Sequence, residues 1–171
     1  MTCMVRAFAC SLAVTAVAAA LAQKAPRPFS FDISVPHDTV KMSAPIVVEV
    51  QLKNTSDHVI YRTSLPGGEI HGEMVGFPPI VRDAHGKEPP LTKWGRLVFG
   101  RDTPEDNSSG LVLNGLLRVP MPPGEVMKTE IRLSELYDLS VAGKYTVQVR
   151  HYDQENKEEV RSNIITVTVV P

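Results

Sequence analysis

Leu136-Tyr137-Asp138-Leu139-Ser140-Val141-Ala142-Gly143-Lys144-Tyr145 runs directly into Thr146-Val147-Gln148-Val149-Arg150. An acidic segment follows, then Asn163-Ile164-Ile165-Thr166-Val167-Thr168-Val169-Val170. These runs read as a corner, a strand, a turn and a closing strand, the ending of a β-sandwich. A tyrosine just inside the penultimate strand, after a glycine turn, can send its hydroxyl back to tie down the preceding loop. Tyr145 and Gly143 stand in that relation, the tyrosine-corner arrangement, and are read as structural residues. The pattern points to an architecture and to no chemistry.

Upstream, the same alternation recurs. Phe29, Phe31, Ile33 and Val35 fall on one side of a first strand. Ile46, Val48, Val50 and Leu52 oppose Glu49, Gln51 and Lys53, a period of two that marks a half-buried strand. Asn54-Thr55-Ser56-Asp57 is a turn by composition. A strand over 58–63 sets Val59 and Tyr61 against His58 and Ile60. Residues 64–109 are looser, with a strand at Ile80-Val81-Arg82-Asp83, a turn at Ala84-His85-Gly86-Lys87 and a polar loop over 102–110. Strand character returns over 111–119. Pro120 to Gly124 reads as a tight connection, and 125–133 as another strand. Ser134 could cap a helical turn that follows it. Strands over 144–152 and 160–170 close the sheet. The sum is an all-β, immunoglobulin-like antiparallel β-sandwich of about seven to nine strands. With no repeat and no internal boundary, residues 29–171 make one domain behind a flexible leader at 23–28.

Residues 1–22 read as a signal peptide. Arg6 precedes an uncharged, Ala-rich run from Ala7 to Leu21, and Ala20-Leu21-Ala22 offers small residues for cleavage before Gln23. The run is short for a membrane span, so no stable membrane insertion is expected after cleavage. Both cysteines, Cys3 and Cys10, lie within it, and Ala7-Phe8-Ala9 is a poor lipidation signal. The expected product is a secreted or periplasmic protein without disulfides, stabilised by core burial. Of the 18 basic residues only Arg6 is lost, leaving 17 against 19 acidic. So small a net charge argues against nucleic acid or anionic membrane as the main partner.

The segments 46–57, 81–87 and 136–145 together resemble small exported bacterial Ig-like β-sandwich proteins of unknown function. The layout is also similar to the non-catalytic N-terminal domain of deuterolysin-like (aspzincin) metalloproteases. The resemblance covers most of 30–170 and implies a fold. The zinc-binding His-Glu-x-x-His of those proteases is absent here, so no protease activity is implied.

The search for chemistry is thin. No Gly-x-Ser-x-Gly elbow activates a serine. Loss of both cysteines removes thiol catalysis. Asp153, Glu155, Glu158 and Glu159 cluster on a short segment that reads as a solvated turn, with a weak calcium site through Asp153, Glu155 and Asn156 as the alternative. His71-Gly72-Glu73-Met74, with His37, Met42, Met121 and Met127, is the candidate for soft-metal binding through His71 and Met74. Methionine more often fills core gaps. Trp94 is either a sandwich-core tryptophan or an exposed anchor for a partner. Asn54-Thr55-Ser56 and Asn107-Ser108-Ser109 match the glycosylation pattern but read as turn chemistry.

The expectation is an exported, non-catalytic Ig-like module that binds a protein or glycan of the cell envelope, with no cofactor and no catalytic residue. An inhibitor-like role is a subclass of it. The long 64–109 segment is the expected recognition element. A periplasmic copper carrier and a hydrolase accessory domain are the alternatives.

Overall fold

The computed structural model describes residues 27–64, 76–101 and 117–171. Among these, β1 (Phe29–Ser34), β3 (Val47–Asn54) and β7 (Val126–Arg132) form one antiparallel sheet in the order β1-β3-β7. A second sheet takes the order β2-β10-β8-β5, from β2 (Thr39–Lys41), β10 (Ile165–Val170), β8 (Gly143–Asp153) and β5 (Pro79–Arg82). With β1, β3 and β7 as strands A, B and E, and β5, β8 and β10 as C, F and G, this is the immunoglobulin order.

Alternation explains the packing. Val48, Val50 and Leu52 of β3 are fully buried while Glu49 and Lys53 face water. Ile131 joins them, opposite Val81, Val147, Val149 and Val167 of the second sheet. Each such side chain contributes about 1.5–3 kcal/mol of burial. Gly143 opens β8 opposite Val169, and the Tyr145 hydroxyl donates to the Val141 carbonyl at 2.7 Å.

Three features depart from the sequence reading. First, β2 runs parallel to β10 in a stretch to which the sequence reading gave no strand. Its three residues are too few to show alternation. Second, the closing strand is split into β9 (Glu158–Arg161) and β10. Val147 faces Ile165 while Arg150 faces Arg161, so the return strand holds one extra residue between them, a β-bulge. Asn163 lies on that bulge. Its Oδ1 accepts from the Ile33 amide at 2.8 Å, and its Nδ2 donates to the Ile33 carbonyl at 3.0 Å. A side-chain amide thus ties β1 to the other sheet. Third, Pro120 and Met121, read as part of a connection, belong to β6 (Leu117–Met121), which pairs with β4 (Ile60–Ser64). These two strands prolong β7 and β3 into an arm.

The helices are short. The expected helical turn is α2 (Leu133–Leu136), but Ser134 does not cap it. Its hydroxyl instead accepts from the Ile46 amide at 3.4 Å, and Arg132 occupies the cap position with no side-chain bond. A second helix, α1 (Lys93–Val98), is capped by Thr92, whose hydroxyl accepts from the Gly95 amide at 2.9 Å. Its first turn abuts α2: Thr92 N–H donates to the Leu136 carbonyl at 3.0 Å, and a Cβ on Gly95 would lie 2.0 Å from the same oxygen. Trp94 rides on α1, half-buried against the core. No described helix is long and apolar enough to cross a membrane.

Candidate functional site

The end of the sandwich opposite α1 and α2 carries a cavity of about 270 Å³. Its frame starts at Asn54, the last residue of β3, which is fully buried. The Asn54 amide donates to the carbonyls of His58 and Met121, each at 2.8 Å. Its Oδ1 accepts from the Ser56 amide at 2.9 Å and the Ser56 hydroxyl at 2.7 Å. One satisfied amide therefore shapes the 55–59 loop and joins it to β6. A glycan on Asn54 would replace one of the two Nδ2 hydrogens and so remove one donated bond at a fully buried amide.

That loop presents His58 at the rim. Nδ1 meets Asp57 Oδ1 at 3.0 Å, and Nε2 meets the Glu155 carboxylate at 3.1 Å. Hydrogen bonds to Asp57 and then Glu155 raise the affinity of the ring for its second proton, so its pKa lies above the ordinary value. The turn that offers Glu155 is built on Asp153. Asp153 is 2% exposed and accepts from the amides of Glu155 at 2.9 Å and Asn156 at 3.2 Å, and from Asn156 Nδ2 at 2.8 Å. The acidic segment is thus not uniformly solvated. Asp153 is an interior organiser, and its oxygens are occupied by the turn itself.

On the facing wall, the Arg118 guanidinium lies 4.6 Å from the Tyr61 ring centroid. Tyr61 and neighbouring Val59 are 45% and 43% exposed. The interior wall includes His151, 6% exposed, its ring stacked on Phe77 at 5.0 Å and edge-on to Phe29 at 5.4 Å. Its Nδ1 donates to the Gly76 carbonyl at 3.1 Å. Burial lowers its pKa, so the ring is neutral and Nε2 keeps its lone pair.

The two histidines are therefore shifted in opposite directions, the rim ring towards its protonated form and the interior ring towards its neutral form. Both His58 nitrogens go to carboxylates, and His151 Nδ1 goes to a carbonyl. At these nitrogens neither ring meets a hydroxyl, the contact that nucleophile activation requires. Among the described residues no group of three or more His, Cys, Asp and Glu side chains could hold a metal ion.

His71 and Met74 lie outside the described residues, as do residues 1–22, read as a signal peptide, and residues 102–110, read as a polar loop. Met121 is a core residue and Met127 packs against the core, so neither faces a ligand. Met42 and His37 are exposed and do not line this cavity. The sequence reading named Glu155 only within the acidic cluster and singled out none of His58, Tyr61, Arg118 and His151 as site residues. For His151 and Asp153 a signal existed: the parity of β8 that buries Tyr145, Val147 and Val149 buries them too.

No family model matches this sequence, and no curated protein matches it. Several solved structures are similar to it. A CARDB domain from Pyrococcus furiosus, described in complex with di-metal ions, is 16% identical with a TM-score of 0.43, covering 83% of this chain and 87% of that one. A β-glucosidase from Listeria innocua is 15% identical with a TM-score of 0.42, covering 82% of this chain but 16% of the enzyme. A β-glucosidase from Erythrobacter marinus gives 16% and 0.40, with 83% of this chain and 15% of the enzyme covered. Likeness at this level carries no argument about activity. The fold assignment rests on the strand order itself.

Proposed function

We propose that this chain is an exported, non-catalytic Ig-like recognition module that binds a protein or glycan partner at the end carrying His58, Tyr61 and Arg118. The observation that carries the reading is the Tyr61–Arg118 pair. Aromatic and arginine side chains dominate binding energy at interfaces, and here they stand exposed, stacked and flanked by Val59. Beside them the His58–Glu155 pair supplies a polar contact. The frame below is rigid, because Asn54 and Asp153 have their polar atoms satisfied internally. A rigid frame under exposed anchors limits the ordering cost of association. Export follows from the Ala20-Leu21-Ala22 site, and the mature protein should begin at Gln23 and contain no thiol.

The test uses mature protein immobilised over an envelope extract and a glycan panel, beside a Tyr61→Ala, Arg118→Ala double variant. A defined partner should be retained saturably by the wild type and lost by the variant. Equal retention by both would remove the site from the proposal, and turnover of a glycan would remove the non-catalytic reading. N-terminal sequencing of the exported form checks the processing step.

A further inference from the structure

The outer face of the second sheet holds a separate recess of about 360 Å³. Four arginines surround it: Arg82 on β5, Arg150 on β8, Arg161 on β9, and Arg101 just beyond α1. Among the described residues two carboxylates answer them. Glu88 lies 3.8 Å from Arg82 Nη1 and 3.3 Å from Arg101 Nη1. Glu159 lies 3.4 Å from Arg150 Nη1 and 3.1 Å from Arg161 Nε. Each guanidinium meets its carboxylate through one nitrogen. Arg150 Nε is buried without any hydrogen-bond partner. A buried donor with no acceptor is costly, and a native site that keeps one calls for an explanation.

We propose that this recess binds a tetrahedral oxyanion, a phosphate or sulfate group carried on a small organic ligand. The charge balance favours an anion, since four cations and two carboxylates leave two positive charges around one concavity. The geometry favours a tetrahedral group. A carboxylate is planar and is satisfied by a single guanidinium fork, whereas phosphate or sulfate accepts from several directions. Here the donors come from four separate elements. Glu88 and Glu159 act as orienting partners that hold the guanidiniums in place, as carboxylates do behind ligand-binding side chains. The recess has room beyond the ion itself, and Phe99, Ile80 and buried Tyr137 supply apolar surface for the rest of the ligand. The Tyr137 hydroxyl donates to the Pro79 carbonyl at 3.2 Å, so it lends shape more than charge. This site is independent of the recognition end and of the function proposed for it.

The experiment is titration of the full mature protein with pyrophosphate at low ionic strength, read by calorimetry and by the arginine Nε–H resonances. Sulfate at matched ionic strength is the second probe and citrate the carboxylate control. Saturable one-to-one binding of pyrophosphate or sulfate, with shifts at Arg150 and Arg161, is expected, and the tighter of the two names the oxyanion. Arg150→Gln with Arg161→Gln should weaken it at least tenfold, and Arg118→Gln, outside the recess, should leave it unchanged. Arg101→Gln, on an exposed side chain, keeps the test open if the double variant does not fold, and should weaken binding severalfold. No saturation, equal loss in Arg118→Gln, or tighter binding of citrate would each overturn the proposal.

Discussion

At one end of the sandwich α1 is fastened to α2 by main chain. At the other, His58, Glu155, Tyr61 and Arg118 meet through the tips of side chains. β7 runs from the second end to the first, so the two constructions bound the same sheet. At the helical end Thr92 N–H reaches the Leu136 carbonyl at 3.0 Å, and Asp138 N–H reaches the Pro90 carbonyl at 2.7 Å. Such contacts specify a backbone path. At the cavity end the main chain is set from beneath by Asn54, and the surface above is free to vary. One end therefore should fail when a single methyl group is added. The other should lose its exposed side chains with little effect on folding.

Gly95→Ala is the sharpest test. The new Cβ would meet Leu136 O at 2.0 Å, and that neighbour is backbone, already bonded to Thr92. Overpacking costs about 1–3 kcal/mol and occasionally more, and an immovable neighbour places this variant at or above about 3 kcal/mol. Urea unfolding measures it. A variant as stable as the wild type would show that α1 is not clamped to α2.

Asn54→Ala probes the frame of the cavity end. It strands the Met121 carbonyl, while the Ser56 amide keeps the Pro28 carbonyl and the Ser56 hydroxyl keeps the His58 carbonyl, so the loss should be about 2 kcal/mol. Tyr145→Phe removes one donor to Val141 and keeps the ring, for about 1 kcal/mol. If Asn54→Ala were the milder of the two, the loop above it would be held by something other than that amide.

Much of the scaffold was legible in the sequence, and the reason is physical. A strand buried on one face must alternate, so β1, β3, β7 and β8 announce themselves in runs such as Ile46-Val47-Val48-Glu49-Val50. β2 is too short to alternate, and the β9–β10 bulge shifts parity without a Gly or Pro to mark it. α1 depends on Gly95 meeting Leu136, a contact between residues 41 positions apart by their numbers. The candidate site is harder still. His58 and Glu155 are brought together across 97 residues, and no local pattern encodes that. His71 and Met74 stood out because they lie three positions apart in sequence, and they fall outside the described residues.

The two histidines of the cavity give the comparison a pH axis. Burial lowers the folded-state pKa of His151, so below about pH 6.5 the unfolded chain takes up protons first. The stability from a neutral, buried ring is complete above about pH 6.5 and is lost as pH falls towards the lowered folded value. His58 has the opposite sign. Its raised pKa gives stability that is complete below about pH 6.5 and lost as pH rises through the folded value. The measurement is the stability difference between wild type and variant across pH. For His151→Phe that difference should shrink on acidification, and for His58→Gln it should shrink at higher pH. Parallel curves would mean that neither ring is perturbed as its surroundings imply.

The smallest expected effect concerns the exposed anchors. Tyr61 is 45% exposed, and its contact with Arg118 lies on the outside of the arm. A cation–π pair at an exposed site is worth about 0.5–1 kcal/mol, and surface substitutions elsewhere fall within about 0.5 kcal/mol. The Tyr61→Ala, Arg118→Ala variant should therefore lose no more than about 1 kcal/mol in a urea melt while losing its partner entirely. That separation of stability from binding distinguishes a recognition surface from a structural one. A loss above about 2 kcal/mol would mean that the pair closes the core at this end, as Gly95 and Leu136 let α1 and α2 close the other. The two ends would then be alike in kind, and the search for a binding surface would move to the arginine recess.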